Sequence, residues 1–404
     1  MAVKITDVKC FVTSPDRANL VVVKLETNQP GLYGLGCATF TQRALAVRTA
    51  IEEYLAPVMI GRDVSRLEDA WQVMYGQSYW RSGPVLNNAI SGVDEALWDI
   101  KGKMANMPVY DILGGKVREG ALVYRMCRGA DYDEFDRKFS DMVDEGYQVL
   151  KVGIGAEGRN APLSDAVKKK MPFPDMPGSY FDPQASMDAH VRAVSHAREV
   201  FGYDQGLIVD IHERLSPSEA VEVCKRLDGY RMFFIEDAIM PENQEWFRRV
   251  RAHTTTPLAM GELYTSLNDI RPMIEERLID YLRCHVSDIG GLTSARKLAT
   301  LCELYGVRTC WHGPGDLSPI GLTAQLHLDL ASPAFGLQEF TPITDIRYEM
   351  FPGAPTFKNG YLFANDRPGF GIDFNEELAK KYPPKDPEPD SWQARRPDGT
   401  VVRN

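Results

Sequence analysis

Eight short apolar, β-rich runs recur between residues 120 and 340, most of them followed by an amphipathic stretch, and this alternation predicts an α/β chain with parallel strands. Eight such units in about 220 residues fit a TIM-type barrel. A doubly wound open sheet would want a Gly-rich phosphate loop after its first strand, and none is present. The expected architecture is a (β/α)7β barrel over residues 119–340, with an α+β capping domain over 1–118 ahead of it. A segment over 341–404 is expected to return to the cap.

The elements follow in order. VKITDVKCFVTS and LVVVKLETN are apolar and β-branched around the turn residues PDRAN, which suits a meander. From about Thr41 the period becomes helical in AVRTAIEEYLAPVMI, RLEDAWQVMYGQSY and NNAISGVDEALWDIKGKMA. The barrel runs are then GALVYRM ending at Met126, GYQVLKVG (146–153), GLIVDIH (206–212), RMFFIED (231–237), TPLAMGE (256–262), DYLRCHVS (280–287), GVRTCWH (306–312) and FGLQEF (335–340). A Pro-rich, aperiodic excursion over 154–188 breaks the rhythm after the second strand, and reads as a lid or specificity loop at the end of a barrel that carries chemistry. Residues 383–404 are Pro- and charge-rich and read as a tail on the cap or on a neighbouring subunit.

Composition narrows the function. The 404 residues carry 56 acids against 46 scattered bases, a formal net charge of −10, which argues against nucleic acid or an anionic membrane as partner. The amino terminus lacks the organisation of a signal peptide, and no run of 18 apolar residues occurs, so a cytoplasmic protein is expected. Seven dispersed cysteines without a C-x-x-C pair suggest buried thiols rather than disulfides or a zinc knuckle.

The chemistry is expected at the carboxyl ends of the strands. Asp210, Glu236 and Glu262 end the third, fourth and fifth runs, 26 and 26 residues apart, one βα repeat each. Taken singly, each acid reads as a solvated rim residue or a salt-bridge partner. Three in phase would repel and be costly to desolvate, and a hard divalent cation removes that cost, with Mg²⁺ favoured over zinc for an all-carboxylate set. A substrate carboxylate on such an ion invites abstraction of its α-proton, because the metal stabilises the ene-diolate that forms. His212, two residues beyond Asp210, is expected on the same strand face, where an imidazole can hand over a proton without being a tight ligand. Lys151 projects from the second strand, and burial and a metal would depress its pKa.

The order of cap, barrel, lysine on strand two, acids on strands three to five and histidine on strand seven resembles the enolase superfamily. More narrowly, VDIHERLSP (209–217), the run from Ile235 to Glu262, LIDYLR (278–283), HGPGDLSPIGLTAQLHLDL (312–330) and FGLQEF are similar to the mannonate dehydratase subgroup. That resemblance implies Mg²⁺-dependent dehydration of a sugar acid to a 2-keto-3-deoxy sugar acid. Asp210, Glu236 and Glu262 would be the metal ligands and His212 the acid that protonates the departing 3-hydroxyl. Arg283, His312, Asp316 and Glu339 match substrate-contact positions.

Against the subgroup pattern, Lys151 stands where an arginine is usual, and the loop after it has no tyrosine base. Thr41, Met126 and Pro314 also depart from it, and His285 takes the place of a dyad aspartate on strand six. The base is then Lys151 or His312, Lys151 could equally be a contact that neutralises the substrate carboxylate, and gluconate or galactonate becomes as plausible a substrate as mannonate. The leading reading is an aldonate hydro-lyase, in an expected homo-oligomer. Its rivals are an epimerase or racemase using Lys151 and His312 on opposite faces of the α-carbon, and a binding or regulatory protein that has lost turnover.

Overall fold

The computed structural model describes residues 2–16, 18–155, 179–385, 394–396 and 398–402. The chain forms two compact units: Met1–Leu122, Glu262–Ile274 and Leu282–Pro387 in the first, Val123–Gly261, Glu275–Tyr281 and Glu388–Asn404 in the second.

In the first unit, strands Ile5–Thr13, Leu20–Thr27 and Tyr33–Cys37 form the expected antiparallel meander, with Val8 opposite Leu25 and Val23 opposite Gly36. Its apolar residues Leu20 to Val23 are fully buried. The helix Pro84–Ala105 lies so close that a Cβ on Gly36 would fall 2.0 Å from the Gly92 carbonyl oxygen, so the glycine is a packing requirement. Three buried acids on this helix satisfy backbone donors elsewhere. Glu95 accepts from the Cys37 N–H, Asp99 from the Leu35 and Phe370 N–H groups, and Asp94 from the Thr293 N–H at the start of helix Leu292–Tyr305. Trp71 and Asn87 donate to the carbonyls of Gly290 and Asp288, which fixes the loop ahead of that helix. Residues beyond 341 reach the meander: Arg347 forks onto Asp16 at 2.7 and 2.9 Å, and Ser14 N–H donates to the Tyr382 carbonyl.

In the second unit, strands Ala121–Gly129, Val149–Ile154, Gly206–Asp210, Phe234–Glu236 and Leu258–Met260 pair in parallel in that order. Helices Tyr132–Asp144, Pro183–Phe201 and Pro217–Leu227 connect them, the last with a full capping box at Ser216 and Glu219. The remaining expected strands are short: Tyr281–Leu282, Arg308–Thr309 and Gln338–Glu339.

The excursion is shorter than its composition suggests. Residues 156–178 lie outside the described residues, but its last part is helical, because Asp182 accepts from the Ala185 N–H and Pro183 occupies the first turn. From the tail, Ala394–Arg395 pairs in parallel with Ser179–Tyr180 and antiparallel with Val401–Val402. None of the seven cysteines forms a disulfide, and six of them are buried.

Candidate active site

In the second unit the strand register puts Asp210 beside Glu236 at the carboxyl ends of adjacent strands. Lys151, two residues lower in register, lifts its Nζ between them, 3.0 Å from Asp210 Oδ2 and 2.9 Å from Glu236 Oε1. Below lie Tyr124 and Phe234, ring edge to ring face, and the Tyr124 hydroxyl donates to Glu236 Oε2 at 3.4 Å. All three ion-paired residues are buried. Burial alone would raise the Asp210 carboxyl, yet the charges of His212 and Lys151 beside it hold it well below the usual carboxylate range.

His212 is not on the strand face that a two-residue spacing implied. The strand stops at Asp210, and the backbone turns through left-handed conformations at His212 and Glu213, with φ of 53° and 55°. The turn brings the imidazole back: Nδ1 lies 2.8 Å from Asp210 Oδ1, which also accepts the His212 N–H at 3.0 Å. Asp237 turns in the same way at φ 48° after Glu236. Such unfavourable conformations persist where surrounding hydrogen bonds over-determine them, as at Asp237, whose carbonyl accepts from Glu213 N–H and whose Oδ1 accepts from Gly261 N–H at 3.1 Å.

In the first unit, Arg283 is fully buried and reaches two acids: its guanidinium lies 2.6 Å from Glu339 Oε2 and 3.3 Å from Glu262 Oε2. His312 Nε2 faces the same carboxylates, at 3.3 Å from Glu262 and 3.9 Å from Glu339. Its Nδ1 lies 2.9 Å from Nδ1 of His285, which stands opposite it in a parallel bridge. Burial pushes the His312 imidazole down to about 3 despite Glu339 and Asp316 nearby, so the ring is neutral at pH 7. Asp316 is half-buried, with Oδ1 unpartnered among the described residues. Asp288, half-buried and accepting from Asn88, is raised to about 6 by desolvation in spite of His285.

The structure thus gathers Lys151, Asp210, His212 and Glu236 in one array, and Glu262, Arg283, His285, His312 and Glu339 in another. Tyr124, Asp237 and Asp288 are polar groups that the repeat does not single out. Asp237 had a visible signal, a second carboxylate directly after Glu236 at a strand end. Tyr124 and Asp288 had none, since their significance comes from contacts made across strands and loops.

Parallel strands joined by helices, with acids, a lysine and imidazoles at the strand ends, define an α/β-barrel enzyme of acid–base type. Comparison with known proteins makes this specific. Residues 134–378 match the family model described as enolase C-terminal domain-like, and residues 2–114 that of the mandelate racemase / muconate lactonizing enzyme N-terminal domain. The chain belongs to the enolase superfamily, a TIM-type barrel with an α+β amino-terminal capping domain. It is 49% identical over 99% of both chains to the D-galactonate dehydratase family member RspA of Pantoea ananatis. It is 48% identical, again over 99% of both chains, to a D-galactonate dehydratase family member of Enterocloster bolteae. An enolase from Pantoea ananatis, crystallised with bound D-gluconate and Mg, superposes with a TM-score of 0.94 at 47% identity over the whole of both chains. An enolase superfamily member from Salmonella Typhimurium gives 0.82 at 25% identity, over 94% of this chain and 98% of that one.

The family implies a Mg²⁺ ion, and the residues fit one. Carboxylate oxygens of Asp210, Glu236 and Asp237 lie within 4.8 Å of one another, all buried, and they are hard oxygen donors of the kind Mg²⁺ takes. Among the described residues no helix is long and apolar enough to cross a membrane.

Proposed function

We propose that this protein is a Mg²⁺-dependent aldonate dehydratase, a hydro-lyase that converts a gluconate-, galactonate- or mannonate-like acid to its 2-keto-3-deoxy product. The motif runs over 209–217 and 312–330 support placing it beside the mannonate dehydratase subgroup. The observation that carries the reading is the cluster on Asp210 and Glu236: two buried carboxylates in register, with a lysine within 3.0 Å of both and a histidine 2.8 Å from Asp210. One array holds Lys151 against two acids, and the other holds Arg283 against two acids. Buried carboxylates gathered in this way are stabilised by a divalent cation.

Asp210, Glu236 and Glu262 would hold the ion, which, when bound, offsets the negative charge that grows on a substrate carboxylate as its α-proton leaves. Lys151 takes that proton at Nζ. His212 has its Nδ1 on Asp210, so it delivers a proton from Nε2 to the 3-hydroxyl. The C3–O bond breaks, water leaves, and the enol that remains tautomerises to the 2-keto acid. Arg283, His312, Asp316 and Glu339 contact the substrate, with His285 behind His312.

The test is a panel of aldonates in deuterated water. Wild-type protein is expected to dehydrate at least one. His212→Asn is expected to exchange the α-proton at a near wild-type rate while dehydration falls by about 10²-fold or more. Deuterium entry in wild type without loss of water would select epimerisation instead. Thermal stabilisation by an aldonate with neither exchange nor dehydration would select a binding protein.

A further inference from the structure

Two glutamines stand behind His312 and Glu339, one in each of the motif runs HGPGDLSPIGLTAQLHLDL and FGLQEF. Gln325 comes from helix Pro319–Ala331 and Gln338 from the short strand Gln338–Glu339, and both are fully buried. Gln325 Nε2 donates to the His312 carbonyl at 2.8 Å. Gln338 Nε2 faces three oxygens: the Glu339 carbonyl at 2.7 Å, Gln325 Oε1 at 3.1 Å and the Trp311 carbonyl at 3.3 Å. Backbone carbonyls only accept, so turning either amide over would set oxygen against oxygen, and the orientation of both is fixed. Backbone bonds tie the two strands at Thr309, whose N–H donates to the Ala334 carbonyl and whose carbonyl accepts from Gly336 N–H. Further along, at the site end, the amides hold the carbonyls of Trp311, His312 and Glu339. A Cβ on Gly313 would fall 2.8 Å from Gln325 Oε1 and from Gln338 Nε2, so the backbone after His312 lies directly against the pair. Stability alone would not select this arrangement, because primary amides are costly to bury and Gln338 Oε1 has no partner among the described residues.

We propose that Gln325 and Gln338 are positioning residues, an amide clamp that fixes the backbone of His312 and Glu339 so that their side chains meet a substrate in one geometry. His312 Nε2 lies 3.3 Å from Glu262 Oε2, and Glu339 Oε2 lies 2.6 Å from the Arg283 guanidinium; both alignments depend on where these two backbones stand. Among the described residues, the hydrogen-bond partners of the clamp include neither Lys151 nor His212. The clamp therefore bears on how the substrate is held and not on the proton transfers. Its hold on the two backbones stands on the contacts; its consequence for turnover rests on the dehydratase reading.

Gln325→Met and Gln338→Met keep the length of the side chain and remove the donors. In steady-state turnover of an aldonate by Mg²⁺-loaded protein, each is expected to raise KM about 10-fold with kcat within about 3-fold of wild type. The ratio of α-proton exchange to dehydration is expected to stay that of wild type. A merely structural loss behaves otherwise, since fewer folded molecules lower kcat and leave KM alone. Gly313→Ala removes no donor but presses on both amides, and it too is expected to raise KM; it decides the matter if the methionine variants do not fold. An unchanged KM in the folded variants, or a fall in kcat alone, would overturn the proposal. If no aldonate is turned over by any form, the dehydratase reading fails, while crystal structures of the variants still judge the clamp. They are expected to show the His312 carbonyl displaced and the 2.6 Å contact between Arg283 and Glu339 lengthened, and wild-type positions for both would overturn it.

Discussion

Asp94 offers the sharpest quantitative test of how the first unit is held together. It is fully buried, and desolvation raises its carboxyl from 3.8 to about 7, although it accepts from both the N–H and the hydroxyl of Thr293. In the unfolded chain the group ionises near its ordinary value, whereas the folded protein keeps the proton until about pH 7. Between those limits the folded state binds the extra proton, so its contribution is full below pH 4 and declines as pH rises, reaching a floor above pH 7. At about 1.36 kcal/mol per pH unit, the gap is worth about 4 kcal/mol in total, of which about 3 kcal/mol falls between pH 5 and pH 8. Asp94→Asn removes the titration and keeps an acceptor for the Thr293 N–H, while the Thr293 hydroxyl, which already accepts from Trp98 Nε1, can take the new amide hydrogen. Relative to wild type, the variant is expected to be about 3 kcal/mol more stable at pH 8 than it is at pH 5. Urea unfolding followed by tryptophan fluorescence at the two pH values measures this, since Trp98 reports on the same cluster. A difference between variant and wild type that stays constant within about 1 kcal/mol from pH 5 to pH 8 would show that Asp94 is ionised throughout.

Chelation should abolish both α-proton exchange and dehydration, and added Mg²⁺ should restore them. Glu236→Gln should weaken Mg²⁺ binding by about 100-fold or more in calorimetry, and unchanged affinity would remove Glu236 from the ligand set. Gly36→Ala should cost about 1–3 kcal/mol in denaturant unfolding, because its Cβ would meet the Gly92 carbonyl at 2.0 Å where two backbones are in contact. A neutral result would mean that the helix and strand can separate without loss.

The regular repeat made most of the fold legible, because apolar runs alternate with amphipathic ones, and helices such as those starting at Pro183 and Pro217 carry their own start signals. The three in-phase acids could likewise be read from spacing, and register does place Asp210 against Glu236. What the sequence concealed was set by backbone turns just past the strand ends. A two-residue spacing puts His212 on the face of Asp210 only if the strand continues, and it does not. The side chain reaches Asp210 by a left-handed turn that no propensity signals at a histidine followed by a glutamate. The start of the helix at Pro183 was readable from Asp-Pro, but the surrounding proline-rich composition masked it. That His285 lies close to His312 was legible from the dyad position it occupies, whereas the 2.9 Å contact between their Nδ1 atoms depends on how two short strands align.

The acidity of the chain also takes on a different meaning at the level of single residues. A net charge of −10 is a property of the whole surface, and it argues against polyanionic partners without bearing on a small anion in a buried site. Within the protein, Asp210 and Glu236 are held against Lys151 and His212, and Glu262 and Glu339 against Arg283, with the near histidine His312 neutral. Gathering buried acids in this way is costly, and hydrophobic replacement would relieve the cost. Keeping the surplus acids is sensible where they serve a cation that arrives from solution. On that argument the excess negative charge is what draws the metal, and the metal in turn makes an acidic protein able to hold a carboxylate.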